Sequence, residues 1–237
     1  MARGTLYLIP AGLGDTPWRA TLPLQVRDIA CRLECFIVEN AKSARAELKR
    51  LGYPRPLQTV EMRVLPETGT PADFDELVQP LLAGRSVGLL AEAGCPAVAD
   101  PGAAVVRLAH RQGIRVVPLV GPSSIVLALM ASGLEGQRFV FHGYLPVRDD
   151  ARRKAILALE TESRRWQQTQ IFIETPYRNA VLLQGLLQVC QPATLLCVAT
   201  NLTLTDEAIA TRTIAHWRKA EAPEIARRPT VFLLLAE

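Results

Sequence analysis

Short apolar runs alternate with longer amphipathic stretches along the whole chain, and this alternation restricts the fold more than any other feature. The runs at 5–9, 35–38, 86–91, 115–120, 139–143, 170–174, 195–200 and 230–235 are rich in Val, Ile, Leu and Phe. Several are apolar without a break, as strands of a parallel sheet are when both faces are covered. Between them lie helical patterns. The stretch 41–51 carries Arg45, Glu47, Lys49 and Arg50 on a wet side, and 74–82 presents Phe74, Leu77, Val78, Leu81 and Leu82. The stretch 103–112 runs into Gly113, a natural C-terminal stop. The stretch 124–132 is almost wholly apolar and is expected to be buried, and further helices are expected at 150–159 and 177–189. Strand and helix in alternation predict an α/β protein.

The segment Pro118-Leu-Val-Gly-Pro122 falls near the midpoint, with about four strands on each side. This predicts two α/β domains, 1–119 and 120–237, a division that 237 residues allow. No internal repeat or low-complexity tract interrupts them. Residues 144–153 read as an exposed polar loop with a cluster of charges. With 49% apolar and 21% charged residues, wholesale disorder is excluded. There are 14 basic and 12 acidic residues up to Pro118, and 13 and 11 beyond it, so neither half is a charged tail. Such a balance neither demands nor forbids nucleic acid. The longest charge-free stretch, 116–134, is broken by Pro118, Gly121 and Pro122 and is not a membrane span. With no signal-peptide h-region at the N-terminus, a cytoplasmic location is expected. The five cysteines argue against a disulfide framework, and neither they nor the three separated histidines have zinc-site spacing, so no metal is expected.

Three loops stand out. The first strand runs into Pro10-Ala-Gly-Leu-Gly-Asp15, where two glycines let backbone approach a ligand. It is not the G-x-G-x-x-G dinucleotide fingerprint, and no P-loop occurs anywhere. As a plain tight turn it would carry no ligand at all. The run at 86–91 leads into Ala91-Glu-Ala-Gly-Cys-Pro96 and then Asp100-Pro-Gly102, small residues where open α/β sheets place ligands. Val120-Gly-Pro-Ser-Ser124 leads into the apolar helix, where Ser123 or Ser124 can cap the helix or hold an anion at its positive end. His142 on a strand reads as a satisfied structural histidine. No serine or cysteine triad can be assembled.

Taken in order, PAGLGD, AEAGCP, DPG, VGPSS, GLxxxRFxFxGYLP, FIETP and RPTVFLLLAE resemble the tetrapyrrole methylase superfamily, the class III S-adenosylmethionine-dependent methyltransferases. The resemblance runs from residue 4 to 237, and the nearest branch 2′-O-methylates a cytidine of 16S rRNA. It implies two α/β domains with the cofactor cleft between them, in a homodimer. By matching position it implies that S-adenosylmethionine meets Pro10, Glu92, Ala93, Gly94, Val98, Ser123 and Ser124. From the second domain it implies Phe172, Asn201, Leu202, Pro229 and Thr230, while Glu39 matches an acidic residue after the second strand. The chain departs from that branch at four places. It has PAGLGD for Pro-Thr-Pro-Ile-Gly-Asn and Glu39-Asn-Ala-Lys42 for Glu-Asp-Thr-Arg. It has AEAGCP for Ser-Asp-Ala-Gly-Thr-Pro and Thr200-Asn-Leu-Thr-Leu204 for Arg-Glu-Leu-Thr-Lys.

Transfer from a sulfonium needs alignment more than a protein nucleophile. A hydroxyl acceptor gains from a carboxylate that takes its proton. Glu39 is the expected base among Asp15, Glu39, Glu92 and Glu174. An acceptor in 16S rRNA or the 30S subunit would call for phosphate contacts, and Arg148, Arg152, Arg153, Lys154, Arg164 and Arg165 could supply them. Two other readings remain open: a tetrapyrrole or other small-molecule acceptor, and a non-catalytic protein that binds the cofactor.

Overall fold

The computed structural model describes residues 2–66, 68, 70–99 and 102–236, apart from the side chain of Pro71. Asp100 and Pro101 of the DPG motif therefore lie outside the described residues. The chain forms two compact units, one ending at Ser123 and the other beginning at Ser124.

The first unit contains β1 (Thr5–Ile9), α1 (Leu24–Arg32), β2 (Cys35–Val38), α2 (Ala41–Arg50), β3 (Glu61–Val64), α3 (Pro71–Leu82), β4 (Val87–Leu90), α4 (Ala103–Arg111) and β5 (Arg115–Pro118). Its sheet has the order β3-β2-β4-β1-β5, and every pairing is parallel. Alternate residues of each strand face opposite ways. Leu6, Cys35, Ile37, Val87 and Leu89 pack against α3 and α4, whereas Ile9, Phe36, Val38 and Leu90 pack against α1 and α2. Both faces are thus covered, which is why β2 and β4 are buried at every position. Each fully buried aliphatic or aromatic side chain, such as Phe36 or Leu89, contributes about 1.5–3 kcal/mol.

The second unit contains α5 (Ser124–Ser132), β6 (Phe139–Tyr144), α6 (Asp149–Trp166), β7 (Thr169–Ile173), α7 (Asn179–Val189), β8 (Leu195–Thr200), β9 (Ala208–Thr213), α8 (Ile214–Trp217) and β10 (Thr230–Leu235). The sheet order is β6-β7-β10-β8-β9. Only β6 and β7 are parallel, and the other pairs are antiparallel. Phe172 and Phe232 stack at 6.0 Å in a core completed by Ile156, Leu182, Leu186 and Trp217.

Several expectations need correction. The supposed polar loop 144–153 is short, because α6 already begins at Asp149. Asp149 and Asp150 favour the positive helix end, and Arg152 folds back onto the Val147 carbonyl. That helix also runs past residue 159 to Trp166, because its buried side continues with polar groups. Glu160 accepts from the Gln191 N–H and the Thr194 hydroxyl, and the Ser163 hydroxyl donates to the Gln168 carbonyl while accepting from the Ala236 N–H. The apolar helix α5 is not wholly buried, since Met130 is 75% exposed. Strands β3 and β9 carry no continuous apolar run. Both are sheet edges, where charges such as Glu61 and Arg63 are tolerated and discourage unwanted pairing.

Candidate functional site

In the first sheet β1 and β4 are neighbours, yet the chain leaves them toward opposite faces, to α1 after β1 and to α4 after β4. Such a switch point opens a crevice beyond the carboxyl ends of the strands. Here it holds a pocket of about 640 Å³. Its walls are the first loop (residues 12–15), one side of α2 (Ser43, Ala46, Glu47, Lys49 and Arg50) and Glu92 with Ala93.

The two strand-end loops are tied together by a bridge. The Ala11 N–H donates to the Gly94 carbonyl at 2.9 Å, and the Gly94 N–H to the Ala11 carbonyl at 3.1 Å. Gly94 takes a left-handed conformation, φ +70°, which glycine adopts without steric cost. Further along the same loop, Ala97 and Ala99 are also left-handed, at φ +64° and +63°. For residues with a Cβ such strain is uncommon, and it clusters at ligand-binding segments. Gly121 packs against the start of the first loop, since its α-carbon faces Pro10 so closely that a Cβ there would sit 2.3 Å from the proline ring.

Helix α2 forms the opposite wall. Asn40 caps it by accepting from the Lys42 and Ser43 N–H groups, so one departure from the family's pattern still supplies a good cap. The Ser43 hydroxyl donates to Glu92 Oε1 at 2.6 Å and joins α2 to the β4 loop. Arg50 and Glu47, read from sequence as solvated, are instead largely buried beneath the first loop, with side chains only 20% and 13% exposed. Ser43, Glu47 and Arg50 were missed because on a helical wheel they share the polar side of α2, and nothing local shows that a loop covers it.

The structure brings Asp15, Glu92 and Ala93 to this pocket, with Gly94 and buried Pro10 supporting it. Val98 is exposed on the strained loop. Glu39 is half-buried immediately after β2 and is not among the pocket walls. Ser123 and Ser124 stand where the first unit ends and α5 begins.

In the second unit Asn201, Leu202, Pro229 and Thr230 come together at the ends of β8 and β10. The Asn201 N–H donates to the Pro229 carbonyl at 2.9 Å, its side chain donates to Asp206 at 2.8 Å, and Thr230 meets the Thr200 hydroxyl at 3.3 Å. Phe172 is not with them, because it lies fully buried in the core against Phe232. The loop holds a residue sequence reasoning missed. Thr203 is left-handed at φ +72°, a rare state for a β-branched residue, and its hydroxyl is buried without a hydrogen-bond partner. No sequence signal marks it, since threonine is among the last residues expected there.

Glu174, a candidate base, is already engaged. Its carboxylate is buried and accepts from the Thr175 N–H and the Arg178 guanidinium, both at 2.6 Å. His142 meets Gln170 at 2.5 Å, a structural contact. Of the basic candidates, Arg152 is buried and bonded to Asp149 and the Val147 carbonyl. Arg148, Arg153, Lys154, Arg164 and Arg165 are exposed, and Arg165 lies 4.8 Å over the Trp166 ring. Among the described residues no group of acidic, histidine or cysteine side chains could hold a metal ion, and no helix is long and apolar enough to cross a membrane.

Comparison with known proteins agrees with this architecture. The chain is 32% identical to ribosomal RNA small subunit methyltransferase I of Xylella fastidiosa (strain Temecula1 / ATCC 700964), over 99% of this chain and 81% of that protein. It is 36% identical to the protein of the same name from Haemophilus influenzae, over 91% of this chain and 72% of that one. Among solved structures, the methyltransferase CobJ covers the whole chain and 95% of its own, with a TM-score of 0.62 at 17% identity. Cobalt precorrin-4 methyltransferase covers 98% and 94%, with a TM-score of 0.61 at 15% identity. At these identities the two structures speak for the fold alone. Residues 5–217 match the model of the tetrapyrrole (corrin/porphyrin) methylases. With sheets, loops and relatives in agreement, this chain belongs to the tetrapyrrole methylase family of S-adenosylmethionine-dependent methyltransferases.

Proposed function

We propose that this methyltransferase transfers a methyl group from S-adenosylmethionine to a ribose hydroxyl of small-subunit rRNA. The observation that carries the reading is the likeness, over nearly the whole chain, to curated proteins named ribosomal RNA small subunit methyltransferase I.

The residues present suit the donor. The first loop offers backbone with two glycines, Glu92 offers an exposed carboxylate, and the loop at Asn201 and Leu202 carries the orphaned Thr203 hydroxyl, a buried polar atom waiting for a partner. Pro10, Glu92, Ala93, Gly94, Val98, Ser123, Ser124, Asn201, Leu202, Pro229 and Thr230 are the residues proposed to hold it. Phe172 supports them only from within the core. When bound, S-adenosylmethionine supplies a methyl group already activated on a sulfonium.

The chain's own work is alignment and proton handling. Glu39 is proposed to take the acceptor proton, and Asp15 and Glu92 line the pocket where an acceptor can be oriented. Glu174 is bound by Arg178 and is set aside as a base. Arg148, Arg153, Lys154, Arg164 and Arg165 are proposed to meet phosphates, which makes acceptor affinity fall as salt rises. We also propose a homodimer working in the cytoplasm, checked by sedimentation and by fractionation of cells.

Labelled donor and 30S subunits from a strain lacking the protein test the reading, with the RNA mapped by mass. One methylated nucleotide is expected, and RNA left unlabelled by active protein would overturn it. Glu39→Gln should lower turnover by about 10²–10⁴-fold while donor still binds. Unchanged turnover would remove Glu39 from its role.

A further inference from the structure

The pocket wall on α2 contains a charge pair that no motif announces. Arg50 Nε and Nη2 donate to the two carboxylate oxygens of Glu47 at 2.8 and 2.6 Å, a forked pair one turn apart on the same helix. Fork geometry of this kind fixes orientation as well as charge. The remaining nitrogen, Nη1, reaches out of the helix and donates to the Thr16 carbonyl at 2.6 Å. The first loop therefore has two anchors. The Ala11–Gly94 bridge holds its start, and Arg50 holds its end. Gly12, Leu13, Gly14 and Asp15, which line the pocket, all lie between them.

Gly12 shows how closely the loop rests on this clamp. A Cβ at Gly12 would stand 2.7 Å from Arg50 Nη2, 3.1 Å from Cζ and 3.2 Å from Nη1. A free arginine would swing aside, but this guanidinium is held by three hydrogen bonds. We propose that Arg50, gripped by Glu47, is a positioning residue for methyl transfer: it fixes the first loop in the shape that lines the pocket and so aligns the acceptor. The proposal rests on the function proposed above.

The test uses the whole protein, with wild type first shown to bind donor by calorimetry and to label 30S subunits. Arg50→Ala should then lower kcat by about 100-fold, the scale expected for reacting groups misplaced by about 1 Å, with donor affinity changed far less. Gly12→Ala should impair turnover in the wild-type background and add nothing to Arg50→Ala, because the clash disappears with the guanidinium. Arg50→Lys, which keeps the charge but cannot make the fork and reach Thr16 together, should also be slow. Turnover of Arg50→Ala near that of wild type, or effects of the two substitutions that multiply, would overturn the proposal. If wild type labels no RNA, the functional reading fails separately. Hydrogen exchange then decides on the clamp: the amides of residues 12–16 should exchange faster in Arg50→Ala, and unchanged exchange would end the idea.

Discussion

Replacing Gly121 with alanine should damage stability and methyl transfer together, and the structure gives the size of both effects. The added Cβ would stand 2.3 Å from Cβ and Cγ of Pro10 and 3.2 Å from Leu22 Cδ2. Carbon atoms rest comfortably at about 3.5–4.0 Å, so the two segments must part by more than about 1 Å. A proline ring cannot rotate away, and the shift therefore passes to the backbone of the first loop. Overpacking of this kind costs about 1–3 kcal/mol, offset by about 0.4–1 kcal/mol from a stiffer unfolded chain. A net loss of about 1–2 kcal/mol lowers the melting midpoint by about 2–8 °C in a chain of this size. The same displacement, passed along the first loop to residues 12–15 that line the pocket, should slow methyl transfer by about 100-fold. Gly136→Ala is the control, since nothing lies within 4 Å of a Cβ built there. Scanning calorimetry and the transfer assay read both effects. If Gly121→Ala melts and turns over like Gly136→Ala, the argument from close packing at Pro10 is wrong.

Three further outcomes follow from the second core and the buried thiols. Trp217→Phe removes the indole N–H that donates to the Leu196 carbonyl at 2.8 Å, and should cost about 1–3 kcal/mol by urea titration. An unchanged midpoint would show that the bond adds nothing. Glu174→Gln weakens the contact to Arg178, whose side chain is partly exposed, so the loss should be only about 1–2 kcal/mol. A loss as large as that of a fully buried pair would contradict the exposure of Arg178. Burial, with the nearby Glu61 charge, pushes the Cys35 thiol up to about 11, and burial with Glu160 pushes Cys190 up to about 12, from an ordinary value of 9.0. Raised values mean stability that is complete below pH 9 and lost as pH climbs through 11 to 12, so the native protein should weaken across that window. Replacing both cysteines with alanine should flatten the decline, and at pH 8 a maleimide should label half-buried Cys31 well before either buried thiol.

Much of the scaffold can be read along the chain because its central strands are buried on both faces and so read as apolar runs. The strands at 5–9, 35–38, 195–200 and 230–235 stand where the sequence pattern puts them. The half-polar edge strands β3 and β9 and the far end of α6 were not readable. Their patterns depend on partners distant in sequence, such as Thr194 and Ala236, which satisfy Glu160 and Ser163 on α6.

For the site, residue order alone carried the family and singled out the strand-end loops, because small residues after a strand are a local signal. Which side chains meet there is a different matter. Glu47 and Arg50 look solvated on a helical wheel, and Phe172 is a site residue only through its match to the family's pattern. Their burial is decided by what packs over them: a loop more than thirty residues earlier in the chain for Arg50, and Phe232 for Phe172. Local periodicity records which way a side chain points, and only the assembled layers determine what it meets.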